Sequence, residues 1–447
     1  MKEKTMPKPM IQNFPQDIPG LPRRQFIKRM FGSAAAISLM PALGFAADKD
    51  PFARLNEAAG KLSHQDPADE AFWKLVQEHF LIKKDLIMLN AANLCPSPYP
   101  VQQMVFDYTR DIDADPSSIN RGKFSGLRES ARQGLADFLG ADAEEIAITR
   151  NTSEGNNIVI GGLTFQPGDE VIIWDENHPT ANVAWDVRAQ RYGFTVKRVQ
   201  VPAVFDDFDA TVKPFRDALT PRTRVICFSH VSNVSGIALD APAICRMARA
   251  RGVLTHIDGA QTFGSHVVDL HDIGCDFYTG SSHKWFVGPK EAGVLYVRKE
   301  NIEGLWPSII GVGYPGSLKR GAQKFETLGQ RDDACVAAMG KTVEFHNLIG
   351  KARVEQRIRF LADTLKKNLK KKIPNIKFHT PLQPEFSGGV VVFNPPGVNM
   401  STALNTLYHE HNIGCAVFGE TGIRMCPHIY NTADQIDLAA AAVAKLA

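Results

Sequence analysis

Four short, almost unbroken apolar runs constrain the fold of this chain most: Val171-Ile172-Ile173-Trp174, Val225-Ile226-Cys227-Phe228, Val253-Leu254-Thr255-His256-Ile257 and Val294-Leu295-Tyr296-Val297. Runs of this length with so few polar residues fit strands buried on both faces, as in a parallel sheet covered by helices. Glu145 to Thr149 reads as one more short strand, and a helix opens near Ser153. Upstream, Phe124, Leu127, Ala131, Leu135 and Phe138 recur at helical spacing. This alternation predicts an α/β large domain with a mostly parallel sheet. Beyond Gln330 the pattern changes. Helical stretches over about 334–373 precede a Gly-Gly-containing strand from Phe386 to Phe393, a helix near Ser401 to His411, two short strands and a terminal helix. These predict a smaller α+β C-terminal domain. The chain thus divides into 1–46, an N-terminal segment 47–100, a large domain 101–330 and a small domain 331–447.

Charge is concentrated at the N-terminus. Residues 1–46 carry seven Lys/Arg and two Asp/Glu, so the formal +3 of the whole chain leaves about −2 for the rest. There is no charge-based reason to expect nucleic-acid binding, and the run Lys366 to Lys372 reads as the solvated face of a surface helix. Pro22-Arg23-Arg24-Gln25-Phe26-Ile27-Lys28, followed by a weakly apolar stretch from Phe31 to Leu43 and by Gly44-Phe45-Ala46, resembles a twin-arginine export signal. It implies passage through the twin-arginine translocase to the periplasm, with cleavage near Ala46. The apolar run is too short to span a bilayer, so no stable membrane insertion is expected. The seven cysteines (Cys95, Cys227, Cys245, Cys275, Cys335, Cys415, Cys426) show no metal-binding or disulfide spacing and read as small buried hydrophobes.

The chemistry is carried by residues just after the strands. His256-Ile257-Asp258-Gly259-Ala260-Gln261 ends a buried strand on a carboxylate, and Thr279-Gly280-Ser281-Ser282-His283-Lys284-Trp285 reads as a Ser/Thr/Gly-rich turn holding a lysine. Ligands of open parallel sheets gather at the carboxyl ends of the strands. A carboxylate and a lysine there form the pair that pyridoxal phosphate (PLP) needs. The acid keeps the ring nitrogen protonated, and the amine holds the aldehyde as a Schiff base. A lone lysine is ordinarily a solvated surface charge, so the weight rests on the pair. Asn151-Thr152-Ser153-Glu154-Gly155 opens a helix and offers amides and hydroxyls to a phosphate, or forms a plain N-cap. Glu176-Asn177-His178-Pro179 and Ser229-His230-Val231-Ser232-Asn233 occupy corresponding positions after their own strands.

Together these motifs resemble the class V aminotransferase group of fold-type I PLP enzymes, isopenicillin N epimerase-like proteins above all and cysteine desulfurases more distantly, from about residue 85 to the C-terminus. The resemblance implies a homodimer with its active site at the subunit interface. It implies that Lys284 forms the Schiff base and Asp258 partners the pyridine nitrogen. Gln261 and Asn233 would bond the phenolic oxygen, with His178 stacked on the ring. Thr152, Ser153, Ser281 and His283 would hold the phosphate. Gln330 stands where many relatives carry a threonine that reaches the phosphate across the dimer. In Gly422-Ile423-Arg424-Met425-Cys426-Pro427-His428-Ile429-Tyr430-Asn431-Thr432, Arg424 would bind the substrate α-carboxylate by its guanidinium fork. The segment Leu89-Asn90-Ala91-Ala92-Asn93-Leu94, with Asn93, would close over the substrate.

The implied activity is that of an exported aminotransferase-like enzyme acting at the α-carbon of an amino acid or amino-acid-derived metabolite. Lys284, once displaced by substrate, would serve as general base. Epimerisation or racemisation is an alternative and needs an acid on the opposite ring face, for which His178, Tyr430 or a group from the other subunit are candidates. Elimination and decarboxylation are open as well. Desulfurases need a cysteine on a loop shortly before the carboxylate-binding arginine, and Val417 to Arg424 contains none. A non-catalytic binding protein is disfavoured by the intact Lys284, Asp258 and Arg424.

Overall fold

The computed structural model describes residues 50–61, 66–418 and 422–447, with Phe52–Ala447 forming one compact unit. The export-signal reading of residues 1–46 lies outside the described residues. All four apolar runs fall in one seven-stranded sheet. Its strands are β1 (Ile146–Thr149), β2 (Glu170–Trp174), β3 (Thr195–Val199), β4 (Thr223–Ser229), β5 (Leu254–Asp258), β6 (Phe277–Ser281) and β7 (Gly293–Val297). In space they lie in the order β1-β7-β6-β5-β4-β2-β3. Strands β3, β2, β4, β5 and β6 pair in parallel. Only β7 runs against them, and β1 pairs antiparallel with β7, which restores its direction. The carboxyl ends of six strands therefore open on one edge.

Strands β1, β2, β6 and β7 are buried at every position, which explains why their sequences lack alternation. Strand β3, Thr-Val-Lys-Arg-Val, lacks the apolar run of the others because it forms an edge. There, charged side chains protect the unpaired backbone from stray pairing.

The covering helices include α1 (Tyr99–Ala114), α2 (Lys123–Leu139), α3 (Thr152–Gly162), α4 (Pro179–Tyr192), α5 (Asp333–Ile349) and α6 (Lys351–Lys372). Helix α2 buries Phe124, Ala131, Leu135 and Phe138, and α5 packs on both α1 and α2. A second, four-stranded sheet, β8 (Lys377–Phe378), β9 (Val391–Asn394), β10 (Ala416–Phe418) and β11 (Gly422–Met425), is ordered β10-β11-β9-β8 and is antiparallel throughout. Its core joins Leu361 and Leu365 of α6 to Val391, Phe393, Leu407, Ile423 and Ile436. No helix among the described residues is long and apolar enough to cross a membrane.

Four expectations change. The helical stretch 334–373 breaks at Gly350, whose φ of 92° separates α5 from α6. Thr279, Gly280 and Ser281 belong to β6, and the lysine-bearing turn starts only at Ser282. The strand read over Phe386 to Phe393 shrinks to β9. At Gly389 a Cβ would lie 2.5 Å from both Ile358 and Trp285, so close packing accounts for this glycine. Lys366 does not sit on a solvated face. It is 3% exposed, and its Nζ donates to the carbonyls of Pro381 (3.2 Å) and Leu382 (3.0 Å) and to Ser387 Oγ (3.2 Å).

Candidate active site

The open edge of the sheet gathers the residues singled out from sequence. Asp258 is the last residue of β5 and is buried; Lys284 follows β6, His178 follows β2 and caps α4, and Asn233 follows β4. The side chains share one electrostatic environment. Burial lowers the proton affinity of the Lys284 amine, the Arg424 guanidinium lowers it further, and Asp258 opposes both. Burial likewise disfavours the charged form of His178, and Lys284 and Arg424 add to that effect against the pull of Asp258. Among the described residues, no hydrogen bond or ion pair engages Lys284 Nζ.

Local backbone geometry fixes the lysine. The Val287 N–H donates to the Lys284 carbonyl (2.9 Å) and the Gly288 N–H to the Ser282 carbonyl (2.8 Å), which closes a tight turn. Val287 takes a φ of 51°, a conformation that costs a β-branched residue on the order of 1–3 kcal/mol and persists where surrounding packing enforces it. Gly264 supplies the opposing wall. Its φ is +91°, and a Cβ there would sit 2.4 Å from the Phe286 backbone, so glycine permits this approach.

Both Asp258 oxygens accept N–H donors: Oδ1 from Ala260 (3.0 Å) and Oδ2 from Asn156 Nδ2 (2.9 Å). Gln261 is held at both ends of its amide. Its Oε1 accepts from Trp285 Nε1 (2.7 Å), and its Nε2 donates to the Ala92 carbonyl (3.2 Å). Arg424, on β11 and 5% exposed, donates through Nη1 to the Asn233 carbonyl (3.0 Å) and through Nη2 to Asn90 Oδ1 (3.2 Å). His178 Nδ1 accepts from the Thr180 N–H (3.3 Å). The neighbouring Asn177 clamps that loop to β4, donating to the Cys227 carbonyl (3.1 Å) and accepting from the Ser229 N–H (2.7 Å).

At the start of α3, the Thr152 N–H and hydroxyl both meet Ser281 Oγ, at 2.8 and 2.7 Å, joining the ends of β1 and β6. Ser153 is exposed and lines a cleft of about 430 Å³ with Arg150, Asn151 and Ser308. His283 follows Ser281 by two residues, and its Nδ1 is buried without a partner. Gln330 lies at the surface near the start of α5. It accepts from Arg121 Nη2 (2.9 Å) and donates to the Arg331 carbonyl (3.1 Å), with no bond to Thr152 or Ser281. Asn93 is exposed; the residue of its segment that touches Arg424 is Asn90.

A parallel sheet in this strand order, with a buried amine and a carboxylate at its carboxyl edge, is the fold-type I architecture of PLP enzymes. The chain belongs to the class V aminotransferases, a PLP-dependent family matched over residues 94–438. It is 28% identical over 393 residues to the isopenicillin N epimerase of Streptomyces clavuligerus, covering 84% of this chain and 98% of that protein. It is 29% identical over 393 residues to a probable cysteine desulfurase of Methanothermobacter thermautotrophicus (strain Delta H), covering 81% and 95%. Among solved structures, a C-DES mutant with glycine covalently linked to its PLP cofactor superposes with a TM-score of 0.77 at 23% identity, covering 83% of this chain and 99% of that one.

The residues present fit the cofactor. Lys284 offers an unengaged amine in a buried setting, and the buried His283 Nδ1, two residues after the Ser281 that bonds Thr152, has no partner. Sequence reasoning missed Asn156, Asn90, Asn177 and the Trp285 indole. For Asn156 a signal was available: it lies one turn beyond Thr152, a polar residue just ahead of Ile158-Val159-Ile160.

Proposed function

We propose that this protein is a PLP-dependent enzyme acting at the α-carbon of an amino acid or an amino-acid-derived metabolite, exported by the signal in residues 1–46. One observation carries the reading: Asp258, Lys284 and His178 stand at the carboxyl ends of neighbouring strands, and Arg424 reaches the same edge through the Asn233 carbonyl (3.0 Å). When bound, PLP supplies an electron sink for negative charge at the substrate α-carbon. Lys284 Nζ would hold the cofactor through its aldehyde and would serve as the base for the α-proton. Its amine, depressed by burial and by Arg424, suits proton transfer nearer neutral pH than a free lysine. Asp258 would partner the ring nitrogen, His178 would stack on the ring, and Gln261 and Asn233 would bond the phenolic oxygen. Thr152, Ser153, Ser281 and His283 would hold the phosphate, and Gln330 would reach it from the second subunit of a homodimer. Arg424, steadied by Asn90, takes the substrate carboxylate, and the segment with Asn93 closes the site.

Aminotransfer is the leading reaction. The epimerase reading is favoured by the span of the likeness to isopenicillin N epimerase, 98% of that protein's length. His178 is the stronger candidate for its second acid, because the Tyr430 hydroxyl is buried against Cys95 Sγ (3.5 Å). A desulfurase reading lacks a nucleophile: all seven cysteines are buried, and burial pushes Cys415 up to about 12.

Product analysis in deuterated water with a panel of L- and D-amino acids separates these readings. Formation of a keto or aldehyde product supports aminotransfer. Deuterium entering Cα with inversion and no such product supports epimerisation, and sulfide release from cysteine would overturn both. A cofactor-loaded protein that changes none of the amino acids and exchanges no α-proton would overturn the enzymatic reading.

A further inference from the structure

We propose that Asn156 is a positioning residue that aims the Asp258 carboxylate, and that Thr279 and His256 lock it in place. This rests on the reading of Lys284 and Asp258 as the groups that hold the cofactor.

The Asn156 amide oxygen accepts two hydrogens, from Thr279 Oγ1 (2.6 Å) and from His256 Nε2 (3.1 Å). Its Nδ2 can then only point to Asp258 Oδ2, at 2.9 Å. Flipping the amide would set two acceptors against each other at Asp258, whose carboxylate can only accept. The histidine is suited to this task. It is 0% exposed, and burial lowers its pKa to about 4, so the ring is neutral. With Nε2–H committed to Asn156, Nδ1 is the acceptor that faces the Cys227 thiol at 3.6 Å. Four elements meet in the network: β4 through Cys227, β5 through His256 and Asp258, β6 through Thr279, and α3 through Asn156.

The carboxylate's other oxygen is held by the Ala260 N–H at 3.0 Å, so its plane is fixed from both sides. Each oxygen keeps a second acceptor direction, which leaves room for a ring N–H. Asparagine is a poor helix former, yet here it occupies the interior of an 11-residue helix. A purely apolar contact would leave Thr279, His256 and one Asp258 lone pair without partners.

The test uses Asn156→Ala and the near-isosteric Thr279→Val, each made alone and in an Asp258→Asn background. PLP is titrated against each protein, followed by the cofactor's absorbance and its pH dependence, with circular dichroism as a check on folding. Asn156→Ala weakens PLP binding about tenfold, the weight of one charge-assisted hydrogen bond, and moves the pH midpoint of the bound-cofactor band. Thr279→Val acts in the same direction by about threefold, as one neutral hydrogen bond would, and decides the matter should Asn156→Ala fail to fold. In the Asp258→Asn background both effects fall below about twofold, since the group they position has lost its charge. Wild-type affinity and pH midpoint in these variants would overturn the proposal, as would equal losses in both backgrounds. Wild-type protein that binds no PLP would instead remove the functional reading on which it rests.

Discussion

Gln261 allows a graded test of how the candidate cofactor site is built. Its amide satisfies two opposite demands. The Trp285 indole N–H needs an acceptor (2.7 Å), and the Ala92 carbonyl needs a donor (3.2 Å). Gln261→Glu keeps the first bond but sets a carboxylate oxygen against the Ala92 carbonyl in a side chain only 5% exposed. Under the proposed role of Gln261 it would also turn a donor toward the cofactor's phenolic oxygen into an acceptor. A buried group left mispaired costs about 1–3 kcal/mol, and more when charged, so a loss on the order of a hundredfold in PLP affinity follows. Gln261→Met removes both bonds without adding charge, and about tenfold is expected. Trp285→Phe only frees the amide to rotate and should cost about threefold to fivefold. Absorbance or fluorescence titration with PLP reads all three. The losses should fall in the order Glu, Met, Phe. A Gln261→Glu protein that binds PLP as well as Gln261→Met would refute the assigned amide orientation.

Glu326 accepts from Arg132 Nη1 (2.5 Å), Arg132 Nη2 (3.1 Å) and the edge-strand Ile148 N–H (2.6 Å), so Glu326→Gln removes the buried carboxylate and leaves the buried guanidinium only Glu129 (3.1 Å) as an anionic partner. Chemical denaturation should show a loss of about 1–3 kcal/mol, and no loss would contradict the pairing. Burial lowers Lys366 from its ordinary 10.5 to about 8. At about 1.4 kcal/mol per pH unit, that gap amounts to about 3 kcal/mol. Because the unfolded chain holds this proton and the folded chain releases it between those values, wild-type stability gains with rising pH relative to Lys366→Met. A difference that stays constant from pH 7 to 10 would contradict this. No cysteine should react with a thiol reagent in the folded protein and all seven should after denaturation, whereas rapid native labelling of Cys415 or Cys426 would return the desulfurase reading.

The sheet was legible because its central strands are buried on both faces and therefore spell unbroken apolar runs. The edge strand Thr195–Val199 was not, since lysine and arginine serve its exposed position. Asp258 and Lys284 could be found because chemistry of this kind collects at the carboxyl ends of parallel strands, a place that sequence order alone reveals. Their supports could not. Asn156 and Asp258 are 102 residues apart, Asn90 and Arg424 are 334 apart, and nothing local distinguishes such asparagines from helix or loop filler. Lys366 misled for a related reason. Four other lysines lie between 366 and 372 beside the one that burial and three acceptors hold inside, and periodicity alone did not single it out.

The central claim is that Lys284 binds PLP at the edge defined by Asp258, His178 and Arg424. An absorbance spectrum of the purified protein incubated with PLP, taken beside Lys284→Ala and followed by borohydride reduction and peptide mapping, tests it most directly. The account predicts a band near the visible edge in wild type that borohydride abolishes while fixing the cofactor's mass on the peptide containing Lys284, and no such adduct in Lys284→Ala. Absence of the band in wild type, or a cofactor adduct on a different lysine, would contradict it.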